Sequence, residues 1–262
     1  MWAVVVAESE IPEEMREPVA QALCEVVGMV PLDALGVVRR AQGVLLDNTI
    51  EFTARRVAEK VSALGLTVGV AERPELGRRW PTRSATPTKS GLYASAGGHD
   101  RERFDWSSVH ALSLVRHHEQ KTAGGSAHNL RPGGILPIGI SVAGASMQTM
   151  TQARADMLSR NATITGHETY VLDIFLRDPL LTLRINARQF DYSYLADKMA
   201  PRFEVNFHIL VSHLLQGASH AVRSPLLDRF ARGDMLEAEM VTDLKEFDLY
   251  NRWLLLAAAA FR

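Results

Sequence analysis

The chain has 262 residues, 47% of them hydrophobic and 23% charged, with a formal net charge of −1. This is the composition of an ordinary globular protein, long enough for one large domain or two smaller ones, with no global drive toward nucleic acid or an anionic membrane. A single cysteine, Cys24, excludes an intrachain disulfide and any thiolate-rich zinc site.

The charge is unevenly spread. Residues 1–73 carry 7 Lys/Arg against 11 Asp/Glu, and residues 74–131 carry 9 against 5. The first residues, "MWAVVVAESEIPEE", have no basic leader and only a short apolar run, so they do not read as a signal peptide. "WAVVVAES" predicts a buried strand. A helix is predicted from about Pro12, with Met15, Val19, Leu23 and Val26 at three- and four-residue steps and Gly28 as its stop. Cys24 falls in that apolar pattern, as a buried thiol rather than a nucleophile. "PLDALGVVRRA" predicts a shorter helix with Pro31 in its first turn and Ala34, Leu35 and Val38 inward. "GVLLDN" predicts a strand. A third helix follows with Ala54, Val57, Ala58, Val61 and Leu64 on one stripe, then Gly65 and a last strand, "LTVGVAE".

The order β-α-α-β-α-β, the short Pro-led second helix and the "A-x-x-V-A-x-x-V-x-x-L-G-L-x-V" unit resemble a known small module. Residues 2–72 are similar to the C-terminal domain of the bacterial ribosomal stalk protein and, more distantly, to the ClpS-type proteolytic adaptor. Both families are non-catalytic and present helices to protein partners, which is what the resemblance implies here. The stalk domain's lysine-rich helix is replaced by one offering Arg39 and Arg40. The ClpS histidine has no counterpart, because residues 1–73 contain no His. No family binding residue therefore transfers. Arg39, Arg40, Arg55 and Arg56 are the candidate partner-binding residues, weighed against a reading as solvated helix faces.

Residues 74–103 combine Pro, Gly, Ser and Thr with basic residues and little periodicity, which predicts an extended linker. Within it Arg78, Arg79, Trp80 and Arg83 offer charge and a stacking ring, the basis of an alternative reading as a nucleic-acid contact. Residues 104–262 read as a larger α+β domain. "FDWSSVHALSLVRHH" predicts a strand or a bulged strand. Val171–Leu176 and Leu180–Ile185 flank "RDP" and predict a hairpin. A Gly/Ala/Ser-rich insertion, about residues 119–166, separates these strands, with a helix predicted at "SMQTMTQARADMLSR". Three C-terminal helices follow. The first has Phe203, Phe207, Leu210, Val211 and Leu214 inward. The second starts at Ser224-Pro225. The third is long and is assigned a capping box at "DMLE", 234–237. The strand bearing Trp106, the hairpin and the packing helix resemble a PH-like sheet, whose seven strands cannot be counted in the sequence.

No chemical motif is complete. A zincin helix requires His three residues after His-Glu, but Thr122 follows His118-Glu119 and Val171 follows His167-Glu168. On a strand, His117 and His118 point to opposite faces. The stretch 116–129 therefore reads as a polar loop, and His208, His213 and His220 as packing or flanking residues. Glu237, Glu239, Asp243, Glu246 and Asp248 read as a solvated helix face. No Walker or dinucleotide glycine pattern and no nucleophile elbow is present.

The expectation is an α+β protein: a stalk-like domain at 1–73, a linker at 74–103 and a second domain at 104–262. No catalytic residue, metal or cofactor is assigned. The expected role is a cytoplasmic adaptor or regulator that binds a protein or a ligand, without a membrane span and with nucleic acid disfavoured. A hydrolase or transferase with its site in the second domain is the enzymatic alternative.

Overall fold

The computed structural model describes residues 1–73, 77–96, 101–122, 164–234 and 240–261. Helices and strands both contribute, in several sheets, and the class is α+β. Residues 1–117 with 169–262 form one compact unit and residues 118–168 a second. The first holds all the described elements except the outer ends of two strands.

The opening elements follow the order the apolar periods dictate. They are β1 (Trp2–Val6), α1 (Glu13–Val27), α2 (Pro31–Arg40), β2 (Val44–Thr49), α3 (Glu51–Ser62) and β3 (Val68–Glu72). α1 ends at Gly28, whose left-handed φ of 77° lets its N–H reach the Cys24 carbonyl at 3.0 Å. The strands pair antiparallel in the order β2-β1-β3. α1 packs on both α2 and α3. On one face of the sheet Val4 and Val6 meet Val19, Leu23, Val57 and Val61 from the helices. Leu64 lies beyond α3 and is partly exposed, so it is not on the buried stripe.

Residues 78–104 differ from the expected linker. They form β4 (Arg78–Pro81), β5 (Ser84–Thr88), β6 (Gly91–Ser95) and β7 (Glu102–Phe104). β5, β6 and β7 make an antiparallel meander, while β4 is the edge strand of a larger sheet. These strands are three to five residues long and carry Arg, Ser, Thr and Pro, so they leave almost no periodic signal.

A 3-10 turn, Trp106–Ser108, breaks the expected strand before β8 (Val109–Thr122). β8 carries His117 and His118, which are therefore strand residues rather than loop residues. β9 (Ile164–Leu176) and β10 (Leu181–Asn186) form the predicted hairpin, with a cis Asp178–Pro179 bond in its turn. The larger sheet runs β11-β8-β9-β10-β4, where β11 is Val222–Arg223, and β12 (Met240–Val241) also pairs with β8. The remaining helices are α4 (Phe203–Gly217), α5 (Pro225–Ala231) and α6 (Leu244–Ala260). The Ser224 hydroxyl caps α5 as expected, accepting from Leu227 N–H. α6 starts at Leu244 with Asp243 as its cap, nine residues later than the capping box at 234–237 suggests. Residues 235–239 and the helix predicted at 146–160 lie outside the described residues.

The larger sheet is buried on both faces. Leu112, Leu172, Ile174 and Leu183 face α4, α5 and the meander; Ala111, Val115, Val171 and Phe175 face α6. α6 also covers the open face of the first sheet, where Ala3, Val5 and Ala71 meet Trp253, Leu254 and Leu256. Residues 1–73 thus share a core with the far end of the chain. β1 reads as an unbroken apolar run because helices lie on one of its sides and α6 on the other.

Candidate functional site

The four candidate arginines fall on two helices. Arg39 and Arg40 close α2 and are exposed; Arg40 Nε donates to the Gly36 carbonyl at 3.0 Å. Arg55 and Arg56 lie in the first half of α3. Arg55 pairs with Glu51 at 2.6 Å, and Arg56 stands over the Phe52 ring at 5.7 Å. The structure does not merge the two pairs into one basic patch. Each helix packs on α1, whose exposed side carries Glu13, Glu14, Glu17 and Glu25, and Lys60 of α3 is drawn to Glu25 at 2.8 Å.

Along each helix, however, an apolar side chain shares the outward stripe with an arginine. On α2 Leu32, Gly36 and Arg39 follow at helical steps, opposite the buried Ala34 and Val38. On α3 Phe52 and Arg56 stand one turn apart, opposite Ala54, Val57 and Val61. Leu32 is 79% exposed and Phe52 66%.

In the basic cluster of residues 78–83 the three arginines stay exposed, but two of its members are engaged within the fold. Arg79 reaches Asp248 at 2.7 Å, and Trp80 packs edge-on against Phe104 with ring centroids 5.9 Å apart. Asp248 therefore does not belong to a solvated acidic face. It is one member of a buried network centred on Asp173, which is 1% exposed. The β9–β10 register sets Asp173 directly opposite Arg184. Arg184 Nε and Nη2 donate to the two Asp173 oxygens at 2.7 and 2.6 Å, Nη2 also meets Asp248 at 2.7 Å, and Asn251 Nδ2 donates to Asp173 at 2.8 Å. Burial raises the Asp173 pKa, opposed by the hydrogen bonds and charge of Arg184. Burial also works against the Arg184 charge, but Asp173 and Asp248 outweigh it and hold its pKa above the usual arginine value. This network ties α6 to the sheet.

The histidines are dispersed. The His117 ring contacts the Val241 carbonyl at 3.0 Å, His208 lies against Phe230, and His213 lies edge-on to Tyr194. Among the described residues no three His, Cys, Asp or Glu side chains are grouped for a metal, and no helix is long and apolar enough to cross a membrane. The apolar run from Trp253 to Ala260 is the end of α6, where Trp253, Leu254 and Leu256 cover the first sheet and Leu255 faces the larger one.

Besides a small cleft of about 170 Å3 beside Arg184, two larger clefts of the first unit stand out. One, of about 560 Å3, lies between the β5–β6 turn, Trp106 and the end of α4, and is wide open to solvent. Gly217 is required there, because a Cβ would meet the Trp106 ring at 2.3 Å. The other, of about 510 Å3, is built from five segments: the loop after β1, the α2–β2 turn, β8, α5 and α6 with the preceding β12. Its floor includes Leu114, Val115 and Phe247, and its polar members include Glu10, Gln42, Arg229, Glu246 and Tyr250. Sequence reasoning assigned none of these residues to a site and read Glu246 as part of a solvated helix face. No two of the segments are close in sequence, and no residue type among them marks a chemistry by itself.

Comparison of the chain with protein-family models, with curated proteins and with solved structures finds no match.

Proposed function

We propose that the chain is a non-catalytic adaptor or regulatory protein of the cytoplasm, which docks a protein partner on the outward stripes of α2 and α3. The observation that carries the reading is the exposure of Leu32, at 79%, on the same stripe as Arg39. An apolar anchor seven residues from a cation along one helix face suits a partner segment that offers a small apolar pocket beside an acidic group. Phe52 and Arg56 repeat the pairing on α3. Further support comes from the element order through Glu72, which is that of the stalk-protein and ClpS-type modules residues 2–72 resemble. The pairing of Arg79 with Asp248 and of Trp80 with Phe104 argues against the nucleic-acid alternative.

The test is site-specific photo-crosslinking in cells. A photoreactive residue at position 32 is expected to capture a discrete protein, whereas one at Leu249, an exposed leucine of α6, does not. Leu32→Ser with Arg39→Ser, a pair of surface changes, removes the capture when Phe52 carries the crosslinker, and leaves the thermal midpoint in place. Equal capture from positions 32 and 249, or none from 32, refutes the reading.

A further inference from the structure

We propose that the cleft between the α2–β2 turn, β8, α5 and α6 binds a small organic ammonium compound with an apolar body. It is a separate site from the α2–α3 face and does not depend on it.

The shape admits such a ligand. A volume of about 510 Å3 lies within the range of small-molecule sites. Its floor is apolar and firmly held: Leu114 and Val115 are buried residues of β8, which pairs with β9 on one side and with the short β11 and β12 on the other, and Phe247 is anchored in the core between that sheet and α6. An apolar ligand body covering these side chains gains burial without asking them to move.

The polar groups select the head. An ammonium group has three donors and no acceptor, and the cleft offers mainly acceptors. The Gln42 amide oxygen is buried with no hydrogen-bond partner among the described residues. It belongs to a turn that holds Gln42 at a φ of 37°, a left-handed conformation uncommon for a residue with a side chain. The Tyr250 phenol lines the same cleft and makes no hydrogen bond to a described residue. Burial pushes its pKa up to about 12, so it remains neutral. Glu10 and Glu246 supply two carboxylates against the single guanidinium of Arg229, a net charge of −1. The rings of Phe247 and Tyr250 attract a cation to their faces. Phe247 already receives one, with the Arg184 guanidinium 5.5 Å from its centroid. A carboxylate-bearing ligand would meet two like charges and find Arg229 as its one cationic partner.

The full chain is titrated by calorimetry and ligand-observed NMR with three probes sharing one ring: 2-phenylethylamine, 2-phenylethanol and 3-phenylpropanoate. The amine is expected to bind saturably and at least about tenfold tighter than the carboxylate, the scale of one partly exposed charge contact. Glu246→Gln, a change at an exposed position, lowers amine affinity at least about threefold by the same reasoning. Leu226→Trp fills the cleft and abolishes binding. Should that variant fail to fold, the Glu246→Gln result decides alone. Leu32→Ser leaves amine affinity unchanged, which separates this site from the partner surface. Absence of saturable binding by the amine, binding of the alcohol or the carboxylate as tight as the amine's, or indifference to Glu246→Gln overturns the proposal.

Discussion

Replacing Trp253 by alanine tests whether α6 completes the core of the first 73 residues. Trp253 is 8% exposed and packs on Ala3, Val5 and Ala71 of the first sheet. Its indole N–H donates to the Val6 carbonyl at 2.9 Å. Its ring also fills the space over Gly43, where even a Cβ would meet it at 2.3 Å, so residue 43 offers no side chain to refill the void. A tryptophan buries roughly 150–250 Å2, which at about 25 cal/mol per Å2 gives an upper bound of about 4–6 kcal/mol. Measured Trp→Ala losses in cores run about 3–5 kcal/mol, and the abandoned carbonyl pushes the cost toward the upper part of that range. The expectation is about 4 kcal/mol, a large share of the roughly 5–15 kcal/mol that stabilises a typical domain. Trp253→Phe keeps most of the apolar contact and loses the hydrogen bond, for about 1–2 kcal/mol. Urea titration of the full chain followed by circular dichroism ranks the three proteins. The isolated 1–73 fragment, whose Ala3–Val5–Ala71 face is bare, unfolds at lower urea than the full chain. A Trp253→Ala cost below about 1 kcal/mol, the level of ordinary surface changes, refutes the shared core.

Two further outcomes follow from the packing of the sheet and of α3. Asp173→Ala strands the Arg184 guanidinium in a buried site and costs about 3–5 kcal/mol by the same titration, whereas the paired change Asp173→Leu with Arg184→Met, which removes both charges, costs less than the single change. Val61→Ala, at a fully buried position of α3, costs about 1–3 kcal/mol, while Arg56→Ala, at an exposed one, stays within about 0.5 kcal/mol; the reverse order in denaturant midpoints means α3 has been oriented wrongly.

The elements of the first 73 residues were legible because each helix repeats its apolar side chains at three and four residues, and because β1 has neither a polar break nor a glycine. What could not be read was the far cover on β1. An apolar run buried on both sides looks the same whether its second neighbour is close in sequence or some 250 residues away. Strands β4 to β7 were missed for a different reason. "RRWP" and "SATPT" are short and rich in basic residues, hydroxyls and Pro, the composition of loops, and only pairing with neighbours makes them strands. The candidate site divides in the same way. The stripe of Leu32 and Arg39 is a local helical spacing and could be found. The five-segment cleft depends on long-range packing and left no local trace.

The Asp173–Arg184 pair lies between these cases, and it shows which kind of tertiary contact a sequence can disclose. Once "RDP" is taken as a hairpin turn, with Leu176 facing Leu181, the antiparallel register alone sets residue 173 opposite residue 184. An acid within "VLDIFL" and a base within "LRIN" then fall opposite each other inside apolar strands, so their pairing follows from a local turn. Arg79, Asp248 and Asn251 cannot be reached that way, because they arrive from an edge strand and from α6. The same helix carries Trp253 and Leu255 against different sheets. Neither sheet therefore has its full cover until residues 244–260 are in place, and the chain must close some of its longest loops before its core is complete. Such non-local closure slows folding. Until then, the first module exposes the apolar face that α6 will bury, which favours association between partly folded chains.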